Sequence, residues 1–244
     1  YASVFGGTTA NSEYEFLTGN TTAFLPEGTV PFHLYVADGT PNLGAQMKDL
    51  GYDTVFLHPY LASGWNRRAV YADFGFDTVL FQDDLTDTSL IREYISDQSD
   101  YESLIRLYEE KEEGQPLFLF NVTMQNHSGY DQDFDNLDMP ISIEEKCDDP
   151  ELKRYLNLIH HSDTALKSLI EYFSKQEDPT VIVFFATPFC PHNTLKKENA
   201  EEAAVIADLE KIAAEFEQES GEHMKLQQFF PSLTDSSYLK IDDD

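Results

Sequence analysis

The sequence predicts an α/β fold, a mostly parallel central sheet with helices on both faces, and three observations carry that reading. Short, nearly continuous apolar runs occur at 53–58 (DTVFLH), 116–124 (PLFLFNVTM) and 179–185 (PTVIVFF). Runs of this kind suit strands covered on both faces, the usual state of a parallel sheet. Amphipathic stretches lie between them; in 150–174, Leu152, Tyr155, Leu156, Ile159, Leu166, Leu169, Ile170 and Phe173 recur at helical spacing. Strands alternating with helices build layers of helix on sheet.

The elements follow in order. Glycines at 6 and 7 lead into hydroxyl residues and a helix-like run. Thr40-Pro41 reads as an N-cap with proline at the first helical position, and Gly51 closes that helix. The strand at 53–58 comes next, then helical patches at Leu90–Ile95 and Tyr101–Glu110. The predicted sheet takes in Thr54–Leu57, Leu117–Val122 and Val181–Phe185. Residues 186–230 differ in composition, rich in Ala, Glu and Lys, with a helical pattern through Ala203, Ile206, Leu209, Ile212, Ala213 and Phe216.

Composition narrows the function. The chain has 244 residues, 16 basic and 45 acidic, for a formal charge of −29, while 41% hydrophobic residues fit a folded protein. So acidic a surface repels nucleic acid and disfavours adsorption to anionic lipid. Cys147 and Cys190 form no CxxC pair, so no thiolate zinc site or disulfide framework is indicated, though one bridge stays open. No apolar run reaches the roughly 18 residues that suggest a membrane helix. The start at Tyr1 suggests an excised domain or a partial gene.

Three polar constellations fall beside predicted strands, where an α/β sheet places its sites. In Gly6-Gly7-Thr8-Thr9-Ala10-Asn11-Ser12-Glu13-Tyr14, a threonine hydroxyl beside free helix-start N–H groups suits a phosphate and a nucleophile. Read alone the motif is weak, and a plain glycine turn with a Thr or Asn N-cap explains it more simply. His58-Pro59-Tyr60-Leu61-Ala62-Ser63-Gly64-Trp65-Asn66-Arg67 offers an arginine fork for phosphate beside the lone tryptophan. A packed tryptophan with a surface arginine is the plainer alternative. Asn121-Val122-Thr123-Met124-Gln125-Asn126-His127-Ser128-Gly129 carries strand into polar turn, where His127 either protonates a leaving group or is merely solvated.

In this order and spacing, GGTTANSEYEFLTG, HPYLASGWNR with Tyr71 and FGFD after it, FLFNVTMQNHSGY, and YLNLIHHSD with PTVIVFF resemble the lipoteichoic acid synthase family of the sulfatase and alkaline-phosphatase superfamily. The resemblance runs from about Gly6 to Phe185 and implies an alkaline-phosphatase-like sheet in a single, incomplete catalytic domain over 1–244. It implies Thr9 as nucleophile and manganese ligand, and His127 at the substrate phosphate. Trp65 and Arg67 would hold a phosphoglycerol head group, with His58 beside them. The implied partners are phosphatidylglycerol and a glycerophosphate polymer, on the extracellular face of a bacterial membrane, with a tether upstream. Tyr60 stands where some members carry an acidic residue, so that contact does not transfer.

The chain also departs from the family. The family's metal-binding glutamate lies upstream of its nucleophile, and the Asp-His pair expected after PTVIVFF is replaced by Ala186-Thr187-Pro188-Phe189-Cys190-Pro191-His192. Pro231-Ser232-Leu233-Thr234-Asp235-Ser236 resembles text that normally follows that pair, as if 186–230 were inserted or mis-framed. Glu13 and His192 are the candidates to replace the lost ligands. The expectation is a phosphoglycerol transferase-type domain, impaired in this copy. The alternatives are a non-catalytic glycerophosphate-binding relic, or a related phosphoethanolamine transferase or sulfatase.

Overall fold

The computed structural model describes residues 8–26, 28–142 and 149–185. Thr9–Phe185 form one compact unit. The segment 186–230, Cys147, Cys190 and His192 lie outside the described residues.

The core is a parallel three-stranded sheet in the order β2-β1-β5, with β1 at Asp53–His58, β2 at Thr78–Phe81 and β5 at Leu117–Asn121. Residues of β1 alternate between its two faces, as the two-residue period of a strand requires. Phe56 joins an aromatic core with Phe120, stacked on Tyr71 at 3.4 Å between ring centroids. Three helices bring their residues to this side: α1 (Thr9–Thr18) with Ala10, Tyr14 and Leu17, α2 (Pro31–Leu34) with Phe32, and α4 (Arg67–Asp73) with Val70 and Tyr71. Leu57 joins the opposite, mainly aliphatic cluster with Tyr101 and Leu104 of α5 (Asp97–Glu109) and Ala165 and Leu169 of α6 (Pro150–Phe173). Helices on both faces of a parallel sheet match the predicted class.

Strand β1 and helix α6 fall where the sequence places them, whereas other elements differ. Helix α3 (Leu43–Asp49) is capped by Asn42, whose side chain accepts from the Ala45 N–H; Thr40 instead closes its own turn onto Ala37. The expected helical patch at 90–95 is a hairpin of β3 (Leu90–Ile91) and β4 (Tyr94–Ile95). Arg92, at φ 57°, turns the chain there in the left-handed region, which a right-handed helix excludes. Residues 181–185 form no strand: Val181 is 87% exposed and Phe184 65%, and among the described residues no neighbouring strand takes up their backbone groups. Phe185 anchors the run, stacked on Phe16 at 4.5 Å. Among the described residues, no helix is long and apolar enough to cross a membrane.

Candidate functional site

Two charged residues occupy core-facing positions on their helices. Glu13 shares the buried face of α1 with Ala10, Tyr14 and Leu17, and Arg67 shares that of α4 with Val70 and Tyr71. The spacing i, i+3, i+4, i+7 is that of an apolar stripe, so each charge needs a partner inside. They meet each other. Arg67 Nε donates to Glu13 Oε2 at 3.0 Å, Arg67 Nη2 donates to Oε1, and the Tyr71 hydroxyl donates to Oε2 at 2.8 Å. Burial alone would lower the Arg67 pKa, but the Glu13 carboxylate outweighs it and the net shift is upward. Burial, reinforced by Glu13, raises the Tyr71 phenol well above its ordinary value.

Arg67 thus spends two of its three nitrogens on Glu13 and presents the third, Nη1, to His58 Nε2 at 3.4 Å. His58 closes β1 and is 2% exposed. Its Nδ1 lies 2.6 Å from the Val122 carbonyl oxygen, an acceptor only, so Nδ1 carries the proton and Nε2 is left to accept. Burial, then the Arg67 charge, pushes the His58 pKa down to about 4. At neutral pH this imidazole is uncharged and held in one tautomer. Its Nε2 faces the Arg67 guanidinium.

The turn from β1 into α4 leaves Trp65 partly exposed and Arg67 buried. Trp65 and Asn66 are consecutive left-handed residues, at φ 54° and 56°. Such strain in non-glycine residues concentrates where a site dictates the backbone. Trp65 stays 38% exposed, its ring 6.0 Å from that of His33. A Cβ at Gly64 would sit 3.4 Å from Arg67 Nη1, so the turn's backbone passes directly beside that donor. Thr9 opens α1 half-buried. It lies one turn before Glu13 on the same face, about 6 Å along the axis, with first-turn N–H groups that have no helical acceptor.

His127 is exposed on the turn after β5. Its Nδ1 lies 3.4 Å from the Tyr94 hydroxyl, and a file of rings links it through Tyr94 and Tyr60 to His58. Behind it, Gln125 is 1% exposed, accepting from the Asp97 N–H and donating to the Leu158 carbonyl and the Ser162 hydroxyl. Burial pushes Asp97 up to about 6 and Asp100 well above the usual carboxylate range, with the Asp97 charge adding to the Asp100 shift.

The structure therefore joins Arg67 and His58 directly, seats Trp65 on the adjoining turn, and connects His127 to them through tyrosines. Sequence reasoning missed Glu13 as the partner of Arg67, although its place on an apolar stripe was a usable signal. It also missed Tyr94 and Arg92, which carry no periodic signal. Manganese finds no ligand set among the described residues. Among the described residues no three His, Cys, Asp or Glu side chains converge on a metal position, and both Glu13 oxygens are committed to Arg67 and Tyr71. Glu13 is thus corrected from a replacement ligand to the counter-ion of Arg67.

A parallel sheet between helix layers, with polar groups gathered where β1 and β5 end, is the arrangement in which an α/β fold places a site. The Sulfatase family model matches residues 1–186, and the chain belongs to that family. Among curated proteins, it is 34% identical over 196 residues to a Rhizobium meliloti protein named for cyclic beta-1,2-glucan modification, covering 78% of this chain and 30% of that protein. It is 26% identical over 193 residues to the capsular polysaccharide biosynthesis protein RkpI of the same organism, covering 74% of this chain and 32% of that protein. The chain thus spans about a third of the length of these relatives. Among solved structures, the lipoteichoic acid synthase LtaP from Listeria monocytogenes superposes with a TM-score of 0.63 at 21% identity, over 71% of this chain and 42% of that one. The Streptococcus pyogenes phosphoglycerol transferase GacH, in complex with sn-glycerol-1-phosphate, gives 0.54 at 20%, over 71% and 46%. These two share the fold.

Proposed function

We propose that this chain is the glycerophosphate-recognising part of a phosphoglycerol transferase-type domain, working on a cell-envelope glycan or glycerophosphate polymer outside the cytoplasmic membrane. One observation carries the reading: a buried arginine, fixed by Glu13, presents Nη1 beside a neutral His58 at the foot of a strained turn that exposes Trp65. A fixed N–H donor beside an exposed aromatic face suits a phosphate ester with a small polyol. The similarity to a glucan-modification protein and a polysaccharide-biosynthesis protein supports an envelope polymer as acceptor.

Thr9 is the proposed nucleophile. Its Oγ forms the bond to phosphorus of phosphatidylglycerol, the bond from phosphorus to the diacylglycerol oxygen breaks, and the hydroxyl proton ends on that oxygen. A glycerol hydroxyl of the acceptor then displaces Thr9, which recovers a proton. His127, exposed and tethered to Tyr94, stands where it can pass a proton to the departing oxygen. A threonine hydroxyl with no adjacent base or metal is a weak nucleophile. The described residues therefore support head-group binding better than turnover, and the expected rate for this chain is low.

The test pairs binding with turnover. sn-Glycerol-1-phosphate titrated into the chain should perturb the Trp65 indole signal, and Arg67→Met should abolish that response. Diacylglycerol release from fluorescent phosphatidylglycerol with added manganese should be near background and equal to that of Thr9→Ala. Robust, Thr9-dependent turnover would overturn the impairment; absent binding would overturn the reading itself.

A further inference from the structure

Arg92 lies in the two-residue turn between β3 and β4 and is 5% exposed. Among the described residues no carboxylate forms an ion pair with it. Its guanidinium instead donates to the backbone of the His127 turn: Nη2 to the Gln125 carbonyl at 2.7 Å and to the His127 carbonyl at 2.7 Å, Nη1 to the Gly129 carbonyl at 2.9 Å. The Tyr130 hydroxyl donates to the intervening Asn126 carbonyl at 2.7 Å. The ring of Tyr130 lies 5.4 Å from the Arg92 guanidinium carbon, and that of Tyr94 5.2 Å.

The clamp is itself held. Arg92 adopts φ 57°, its N–H donates to Asn136 Oδ1 at 3.1 Å, and the Asn136 amide donates to the Arg92 and Leu90 carbonyls at 3.0 and 3.2 Å. A non-glycine residue keeps a left-handed backbone only where its surroundings over-determine it. A planar, always-charged fork of donors can gather several carbonyls at fixed angles, which the point charge of lysine cannot.

We propose that Arg92 is the positioning residue for His127: by collecting the carbonyls of 125, 127 and 129 on one buried guanidinium, it sets where the exposed imidazole stands against Tyr94 and the bound head group. The part concerning the head group rests on the function proposed above; the part concerning the ring does not. Arg92 touches no reacting atom. It acts through the turn, with Tyr94 as the second contact of both Arg92 and His127.

The experiment compares histidine-ring NMR signals of the full chain as wild type, Arg92→Met and Arg92→Lys, with His127→Gln to assign His127. The buried His58, held by Val122 and Arg67, reports whether the core stays folded. Arg154→Met, which removes another buried guanidinium bonded to a nearby carbonyl (Tyr130), is the control. The expected result is a displaced and broadened His127 ring signal in both Arg92 variants, with His58 unmoved and Arg154→Met like wild type at His127. Affinity for sn-glycerol-1-phosphate should fall by on the order of tenfold, since small misplacements of a positioned group are felt strongly. An unmoved His127 signal in a folded Arg92→Met protein overturns the proposal. If that variant loses the His58 signal, Arg92→Lys decides by the same criterion. Loss of fold in both also overturns it, because Arg92 would then hold the whole unit rather than one turn. A wild type that binds no glycerophosphate sinks the proposed function, while the ring signals still decide the role of Arg92.

Discussion

Arg67 and Arg92 are equally hidden from water and are satisfied in opposite ways. Arg67, 3% exposed, is neutralised by a carboxylate on another helix and tied to the aromatic core through Tyr71. Arg92, 5% exposed, keeps its charge and spends its donors on carbonyls of a surface turn. A buried ion pair penalises the loss of either partner, because the other charge is stranded. A guanidinium on carbonyls penalises less, because a surface turn can offer its carbonyls to water once released. The difference separates one arginine that holds the fold from one that aims a side chain.

The largest effect should therefore come from splitting the Glu13–Arg67 pair. Glu13→Ala should lower unfolding stability in urea by about 3–5 kcal/mol, and Glu13→Leu with Arg67→Met should recover most of that loss. No recovery in the double variant would break the comparison from the Arg67 side.

Next in size is a pH effect, and its sign is fixed by the two shifts. His58 titrates near 4 when folded against about 6.5 unfolded. Its contribution is complete above pH 6.5 and is lost as pH falls toward 4. Asp97 has the opposite sign: folded near 6 against 3.8 unfolded. Its contribution is complete below 3.8 and is lost as pH rises through 6. Compared with wild type, Asp97→Asn should gain stability between pH 4 and 7 by on the order of 3 kcal/mol. His58→Gln should fall behind wild type over the same range. Parallel curves for all three proteins would contradict both shifts.

Tyr71→Phe removes the third contact of Glu13 and should cost about 1.5–3 kcal/mol by thermal or urea unfolding, the range for a hydrogen bond to a charged group. A loss near zero would show that Arg67 alone satisfies the carboxylate. The smallest effect belongs to the strained turn. Asn66→Gly should relieve left-handed strain and stabilise by about 1 kcal/mol at most, while weakening glycerophosphate binding by loosening Trp65.

Much of this was legible in the sequence, for identifiable reasons. DTVFLH reads as β1 because a strand buried on both faces favours a nearly continuous apolar run, here Val55, Phe56 and Leu57, and α6 because its apolar residues recur at helical spacing. His58, Trp65, Arg67 and His127 were legible as a group only through family resemblance, since they span several elements. The hairpin at 90–95 was hidden because Leu90, Ile91 and Ile95 mimic helical spacing, while the turn is set by Asn136, 44 residues away. The run at 179–185 misled for the opposite reason. Its composition is that of a strand, but strand formation needs a neighbour, and none accompanies it among the described residues. The Glu13–Arg67 pair joins residues 54 apart. The sequence marks each as a charge on an apolar face without saying that the two meet.

The most direct test is a titration of sn-glycerol-1-phosphate into the 15N-labelled chain, following the Trp65 indole and Arg67 side-chain signals with and without manganese. The account predicts that both signals move, saturably, to the same end point whether or not manganese is present. Movement that requires manganese, or no movement at either residue, would contradict it.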